Sequence, residues 1–170
     1  MLQISQITTG SELPAFENST KISVIMPKGM IGFDGINHYQ MVPLFPDKEE
    51  WVYWRLTACD FRDDDSWGED VLCPKSGSLS FILLTLGDLK IAGVTIASQD
   101  IELCLKPLGV KFEECVVFLV ISIETDENGK LNNMTANVKA PVIYHPVTKQ
   151  AWQIILSEGN YPISLPLMGG

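Results

Sequence analysis

The chain is cut into short runs of β-branched and aromatic residues, each the length of one strand, and most are closed by Gly, Pro or Asp. They read "TKISVIM" (20–26), "HYQMVPL" (38–44), "WVYWRLT" (51–57), "LSFILLTL" (79–86), "LKIAGVTIA" (89–97), "CVVFLVISIE" (115–124), "MTANVKA" (134–140), "PVIYH" (141–145) and "AWQIIL" (151–156). Such composition favours strands, and many strands on short connections specify a barrel or sandwich rather than βαβ units. One helix is expected, in "SQDIELCLKPLG". There Ser98 is placed as N-cap, Ile101, Leu103, Leu105 and Leu108 sit among polar residues, Pro107 keeps the helix short and Gly109 can end it. The expected fold is all-β: a small antiparallel β-barrel or meander with one short helix.

Turn chemistry orders the C-terminal strands. Asn128-Gly129 suits a type I′ turn, which would pair 115–124 with the strand entering Met134, and "HPVTKQ" would pair 138–144 with 151–156. At 170 residues the chain is one domain in length, enough to bury about 70% of its unfolded surface without staples. No apolar run approaches the roughly 18 residues of a membrane span. The start lacks the basic-then-apolar pattern of a secretory signal, so a cytoplasmic location is expected.

The formal net charge of −9 argues against direct nucleic-acid binding, because phosphate affinity comes from clustered Lys and Arg. The same charge would attract a basic protein partner or simply keep the chain soluble. Cys59, Cys73, Cys104 and Cys115 have no C-x-x-C spacing, and His38 and His145 fit no metal motif. Zinc is therefore not expected, and the thiols read as small buried hydrophobes. The acidic block "DFRDDDSWGEDVLCPKSGS" (60–78) reads as a solvated loop. Its Gly and Glu are wrongly placed for an EF-hand, so calcium fits poorly. Within it Asp63, Asp64, Asp65, Glu69 and Asp70 surround Trp67, an aromatic that could anchor a protein contact or pack back on its own domain.

"MTANVKAPVIYHP" (134–146) carries two polar residues in an otherwise apolar strand. Alternation places Thr135, Asn137 and Lys139 on one face and Met134, Ala136, Val138 and Ala140 on the other. Catalysis by Lys139 would need desolvation or a neighbouring cation, which no sequence feature supplies. Pro141 gives nothing to the ladder, so a bend, bulge or edge is expected there, with Asn137 satisfying loose backbone groups. Partner contact through Asn137 and Lys139 is the other reading. "GMIGFDG" (29–35) lacks the lysine and the strand-loop-helix setting of a phosphate loop; it reads as a turn, with Phe33 as a plug in the barrel.

Taken in order, these segments resemble the flagellar assembly factor FliW. "MPKGMIGFDGINHYQMVPL" is similar to the family's opening Gly-Phe turn before a strand, through Gly32 and Phe33. "EWVYWRLTACD" resembles its Tyr-Trp strand through Trp54, and "LSFILLTL" the apolar strand that follows. "MTANVKAPVIYHP" resembles its Thr-Ala-Asn-Leu-Lys-Ala-Pro signature through Ala136, Asn137, Lys139 and Pro141. "QAWQIILSEGNYPISLPL" resembles its closing Gln-x-Ile-Leu, Tyr-Pro and Pro-Leu elements through Gln153. The likeness runs from about Lys21 to Leu167 within a single domain of 1–170. It is interrupted by the acidic insertion 61–78, where the family passes almost directly between strands, and Arg55 stands where an apolar or amide residue is usual.

The resemblance implies a non-enzymatic protein with no cofactor. It implies, too, that the protein binds flagellin and the carbon storage regulator CsrA, and that by antagonising that translational repressor it would control flagellin synthesis. The family-signature residues Gly32, Phe33, Trp54, Ala136, Pro141 and Gln153 are then expected to be structural. The candidate partner contacts are Asp63, Asp64, Asp65, Trp67, Glu69, Asp70, Asn137 and Lys139. Rival readings are a barrel holding an apolar small molecule, an unidentified basic protein partner, and a thiol enzyme using one of the four cysteines.

Overall fold

A computed structural model of the chain describes residues 21–44, 53–59 and 79–167. Among these residues ten strands and one α-helix follow in order: β1 Ile22–Ile25, β2 His38–Pro43, β3 Tyr53–Ala58, β4 Ser80–Thr85, β5 Lys90–Ile91, β6 Val94–Thr95, α1 Ser98–Leu105, β7 Val116–Thr125, β8 Leu131–His145, β9 Gln150–Gln153 and β10 Leu165–Pro166. Seven of them close a barrel in the order β9-β1-β2-β3-β4-β7-β8, sealed by the β8–β9 pair, while β10 lies on the outer edge of β8. All barrel pairings are antiparallel except the β1–β9 seam, a parallel contact at Ile25 and Gln150 held by the Ile25 N–H on the Lys149 carbonyl at 2.9 Å. The all-β expectation with one short helix is the architecture found.

Alternation sends the two faces of β4, β7, β8 and β9 into two separate cores. Inside the barrel lie Val24, Met26, Met30, Tyr39, Met41, Trp54, Leu56, Phe118 and Tyr144, with Ile22, Leu83, Val116 and Val142. The rings pack edge-on or tilted, Trp54 to Phe118 at 6.4 Å and Phe118 to Tyr144 at 6.5 Å between centroids. The Trp54 indole N–H donates to the Thr85 hydroxyl at 3.2 Å. Burial pushes the Tyr144 phenol up to about 12. Side chains fill this interior, as in other small barrels, and no observation favours the reading in which it holds an apolar ligand.

The second core lies outside the barrel wall. Val117, Leu119 and Ile121 of β7, Ala136, Val138 and Ile143 of β8 and Trp152 of β9 are covered by Ile101 and Leu105 of α1 and by the segment carrying Ile154 and Leu156. The helix is thus a lid over one wall of the barrel, which explains its short amphipathic stripe.

Three local expectations are corrected. The run 89–97 is not one strand. Ala92 and Gly93 both take positive φ, 44° and 81°, folding it into the two-residue hairpin β5–β6, which a strand pattern alone conceals. The β7–β8 turn is not type I′, since Gly129 has positive φ (77°) but Asn128 does not. Instead the Asp126 carboxylate accepts from the Asn128 and Lys130 N–H groups, each at 2.9 Å, and Asp126 N–H donates to the Lys130 carbonyl at 2.8 Å. That is a type I turn closed by a glycine bulge, a geometry the aspartate selects. Finally, Ser98 is the first residue of α1 and not its cap. Ala97 precedes the helix with no side-chain cap, and its N–H donates to the Tyr161 hydroxyl at 3.1 Å. Tyr161 in turn donates to the Asp100 carboxylate, so the C-terminal segment supplies the capping that Ser98 does not. Gly109 ends the helical segment at φ 69° as expected.

Candidate functional site

The polar residues of the signature strand sit at a large bulge. Opposite β7, Val120 pairs with Asn137 and Phe118 with Val142, so the single residue Leu119 faces the four residues Val138 to Pro141. A bulge of this size releases backbone groups that must find partners. The N–H groups of Val138 and Lys139 both donate to the Pro162 carbonyl, at 3.0 and 3.1 Å. That of Ala140 donates to the Asn137 side-chain oxygen at 3.0 Å, and Pro141 has none to satisfy. On the acceptor side, the Lys139 carbonyl takes the Leu156 N–H at 2.9 Å, Ala140 the Gln153 amide at 3.1 Å and Pro141 the Ile154 N–H at 3.0 Å. Pro141 is buried. The edge anticipated beside it is therefore closed by the chain's own segment 154–162, and pairing between chains has no opening there.

Gln153 joins this bulge to the glycine loop. Its amide donates to Ala140, and its carbonyl oxygen accepts the Ile31 N–H at 2.9 Å. The loop is tightly wound: Met26 N–H donates to Asn37 O, Gly29 N–H to Met26 O and Phe33 N–H to Met30 O, at 2.7 to 2.9 Å. The Asn37 amide donates to the Met26 and Pro27 carbonyls. Winding of this kind buries Met30 but leaves Ile31 47% and Phe33 40% exposed, beside exposed Asp34. Phe33 rests edge-on against Phe81 at 5.7 Å, at the rim and not inside the barrel.

Asn137, Ala140, Gln153 and Ile31 are thus one hydrogen-bonded unit at one end of the barrel, with Pro141, Gly32, Phe33 and half-buried Lys139 next to it along the chain. Ala136 lies buried in the outer core and Trp54 in the inner one. Asp63, Asp64, Asp65, Trp67, Glu69 and Asp70 lie outside the described residues, as does Cys73. The described residues that flank the acidic insertion are held at this same end, with Ala58 N–H on the Leu79 carbonyl and Cys59 N–H on the His38 carbonyl, both at 2.9 Å.

Sequence reasoning did not find the Gln153 bridge or the exposed pair Ile31 and Phe33. Gln153 is far from Ile31 in sequence, and only the parallel β1–β9 seam brings them together. Removing the Asn137 acceptor by Asn137→Ala should lower stability by about 1–2 kcal/mol, because the Ala140 N–H loses its partner in a part-buried bulge. Asn137→Asp keeps an acceptor and should lose less. Urea unfolding of the two variants checks the order; equal losses would mean that the hydrogen bond is not what Asn137 supplies.

Chemistry by a thiol finds little support. Burial and the neighbouring Glu114 and Glu113 push the Cys115 thiol up to about 12, and burial with Asp100 nearby raises that of Cys104. Both shifts disfavour the thiolate. Among the described residues, no group of three or more His, Cys, Asp or Glu could hold a metal ion. Also among them, no helix is long and apolar enough to cross a membrane.

Residues 98–167, which hold α1, β7, β8, β9 and β10, match the family model described as FliW protein. Over that segment, less than half of the chain, the sequence is similar to the FliW family. A curated relative, the flagellar assembly factor FliW of Symbiobacterium thermophilum, is 33% identical over 58 residues. That segment is 34% of this chain and spans 39% of the relative's length. The solved crystal structure of a flagellar assembly factor FliW superposes with a TM-score of 0.56 over 87% of this chain and 86% of its own, at 15% identity. At that identity the likeness concerns the fold, and it extends the FliW architecture to β1–β4, which lie before the family match.

Proposed function

We propose that the protein is a non-enzymatic, cytoplasmic assembly factor that binds flagellin and, when flagellin is scarce, binds the carbon storage regulator CsrA and relieves the repression it imposes on translation. The observation that carries this reading is the FliW match over 98–167, the part of the chain that contains the signature bulge. Two physical features support it. The net charge of −9 suits a basic RNA-binding partner, whose hold on phosphates a bound polyanion would weaken through space. The exposed Ile31 and Phe33, beside Asp34 and the roots of the acidic insertion, form an apolar and acidic rim suited to protein contact.

Titration of the purified protein with flagellin and with CsrA from the same cell tests this. Saturable binding to both is expected, with the affinity for CsrA falling as salt rises from low to physiological, since steering by exposed charge is screened. Binding to neither would overturn the reading and leave only the FliW fold.

A further inference from the structure

The β7–β8 hairpin runs past the rim of the barrel. β4 accompanies β7 only as far as Ile121, and the described residues pair Ser122–Thr125 with β8 alone. All four are exposed. In an antiparallel strand alternate N–H and C=O groups point to opposite sides, so half of those on this stretch face outward along an edge that no described strand pairs.

The two faces of the hairpin differ. Ile123 follows Ile121 on the face that buries the outer core, and Met134 and Ala136 lie opposite these two. Ile123 is 43% exposed, and Leu131, near the hairpin end opposite Thr125, is 39% exposed. The apolar face of the outer core thus continues beyond the barrel with nothing described lying over it. Around it, Glu124, Asp126 and Glu127 are exposed beside Lys130, and Glu124 reaches the Asn133 amide at 3.5 Å.

We propose that the β7 edge at Ser122–Thr125 is a docking strand for an extended, basic segment of another protein. The incoming strand would complete the outward hydrogen bonds, lay an apolar side chain beside Ile123, and place Lys or Arg across from Glu124 and near Asp126 and Glu127. A second copy of this chain fits less well, because twofold pairing of two β7 edges brings the acids of both copies within a strand spacing of each other. The inference stands apart from the functional reading above: it requires an extended basic segment, whatever protein carries it.

The test uses the full chain and a short synthetic peptide alternating valine and lysine, alongside the same peptide N-methylated on alternate residues so that one edge cannot donate. Backbone amide exchange of the protein is followed by NMR. The expected result is saturable binding of the plain peptide with new protection confined to Ser122–Thr125, weakened about tenfold or more by N-methylation on the pairing edge. The Glu124→Lys variant should also weaken it, with its unfolding midpoint checked against the parent. Absence of binding would overturn the proposal, as would protection elsewhere or equal affinity for both peptides, which marks plain charge attraction. Protection of 122–125 in the free protein that grows with its own concentration would overturn it too, assigning the edge to a second copy instead.

Discussion

Trp54→Ala is expected to lower the stability of the protein by about 3–5 kcal/mol, enough to reduce its melting temperature by roughly 10 °C or more. Trp54 has no exposed surface, packs on Phe118 and donates its indole N–H to Thr85. Its truncation opens a cavity in the inner core it shares with Tyr39, Met41, Leu56 and Leu83, and a closed barrel has little freedom to collapse around it. Trp54→Phe should cost clearly less, since it keeps most of the volume and gives up the hydrogen bond. Denaturant unfolding of both variants checks this. Equal losses would show that the bond to Thr85, and not the packing, dominates at this position.

Gly29→Ala is expected to have the second-largest effect, about 3 kcal/mol or more. Gly29 has φ 67°, and a Cβ there would lie 2.4 Å from the Phe33 carbonyl oxygen and 3.0 Å from both the Asp34 Cα and the Ile36 carbonyl oxygen. All three are backbone atoms, so no side chain can yield; the loop itself must open. Opening it would move Ile31 off Gln153 and disturb the rim that carries Phe33. Gly32 has a positive φ of 89°, but a Cβ added there would meet nothing within 4 Å, so Gly32→Ala suffers the backbone strain alone and should be the milder variant. Thermal melts of the two, side by side, separate the clash from the strain. A harmless Gly29→Ala would mean that the loop is not wound as described.

Much of this fold is legible because burial on alternate residues leaves a period-two pattern in strands such as β1 and β3. The same pattern does not reveal which strands meet. Nothing in "TKISVIM" announces that Ile25 pairs in parallel with Gln150 to close the barrel, because the contact depends on the summed twist of all the intervening strands. The Ala92-Gly93 hairpin is hidden for a local reason, since alanine rarely occupies the positive φ it adopts there. The Asn128-Gly129 dipeptide announces a turn but not its type, because the deciding group is the carboxylate two residues earlier.

The candidate site is legible in part. Pro141 marks an irregularity from sequence alone, as its missing N–H requires. That Asn137 feeds the Ala140 N–H follows from local chain reversal, but the Gln153 bridge to Ile31 and the burial of the Pro141 edge under 154–162 belong to tertiary structure. The outcome gives Asn137 a structural use within the bulge and leaves the loop tip at Ile31 and Phe33 as the more exposed surface at that end.

The central proposal is that the protein acts by binding and not by catalysis, with flagellin and CsrA as competing partners. The most direct measurement is reconstituted translation of a flagellin message repressed by CsrA, with the purified protein added in increasing amounts and then challenged with flagellin. The account predicts that translation recovers as the protein approaches CsrA in concentration, and that excess flagellin restores repression. Repression that persists at a clear excess of the protein would contradict it.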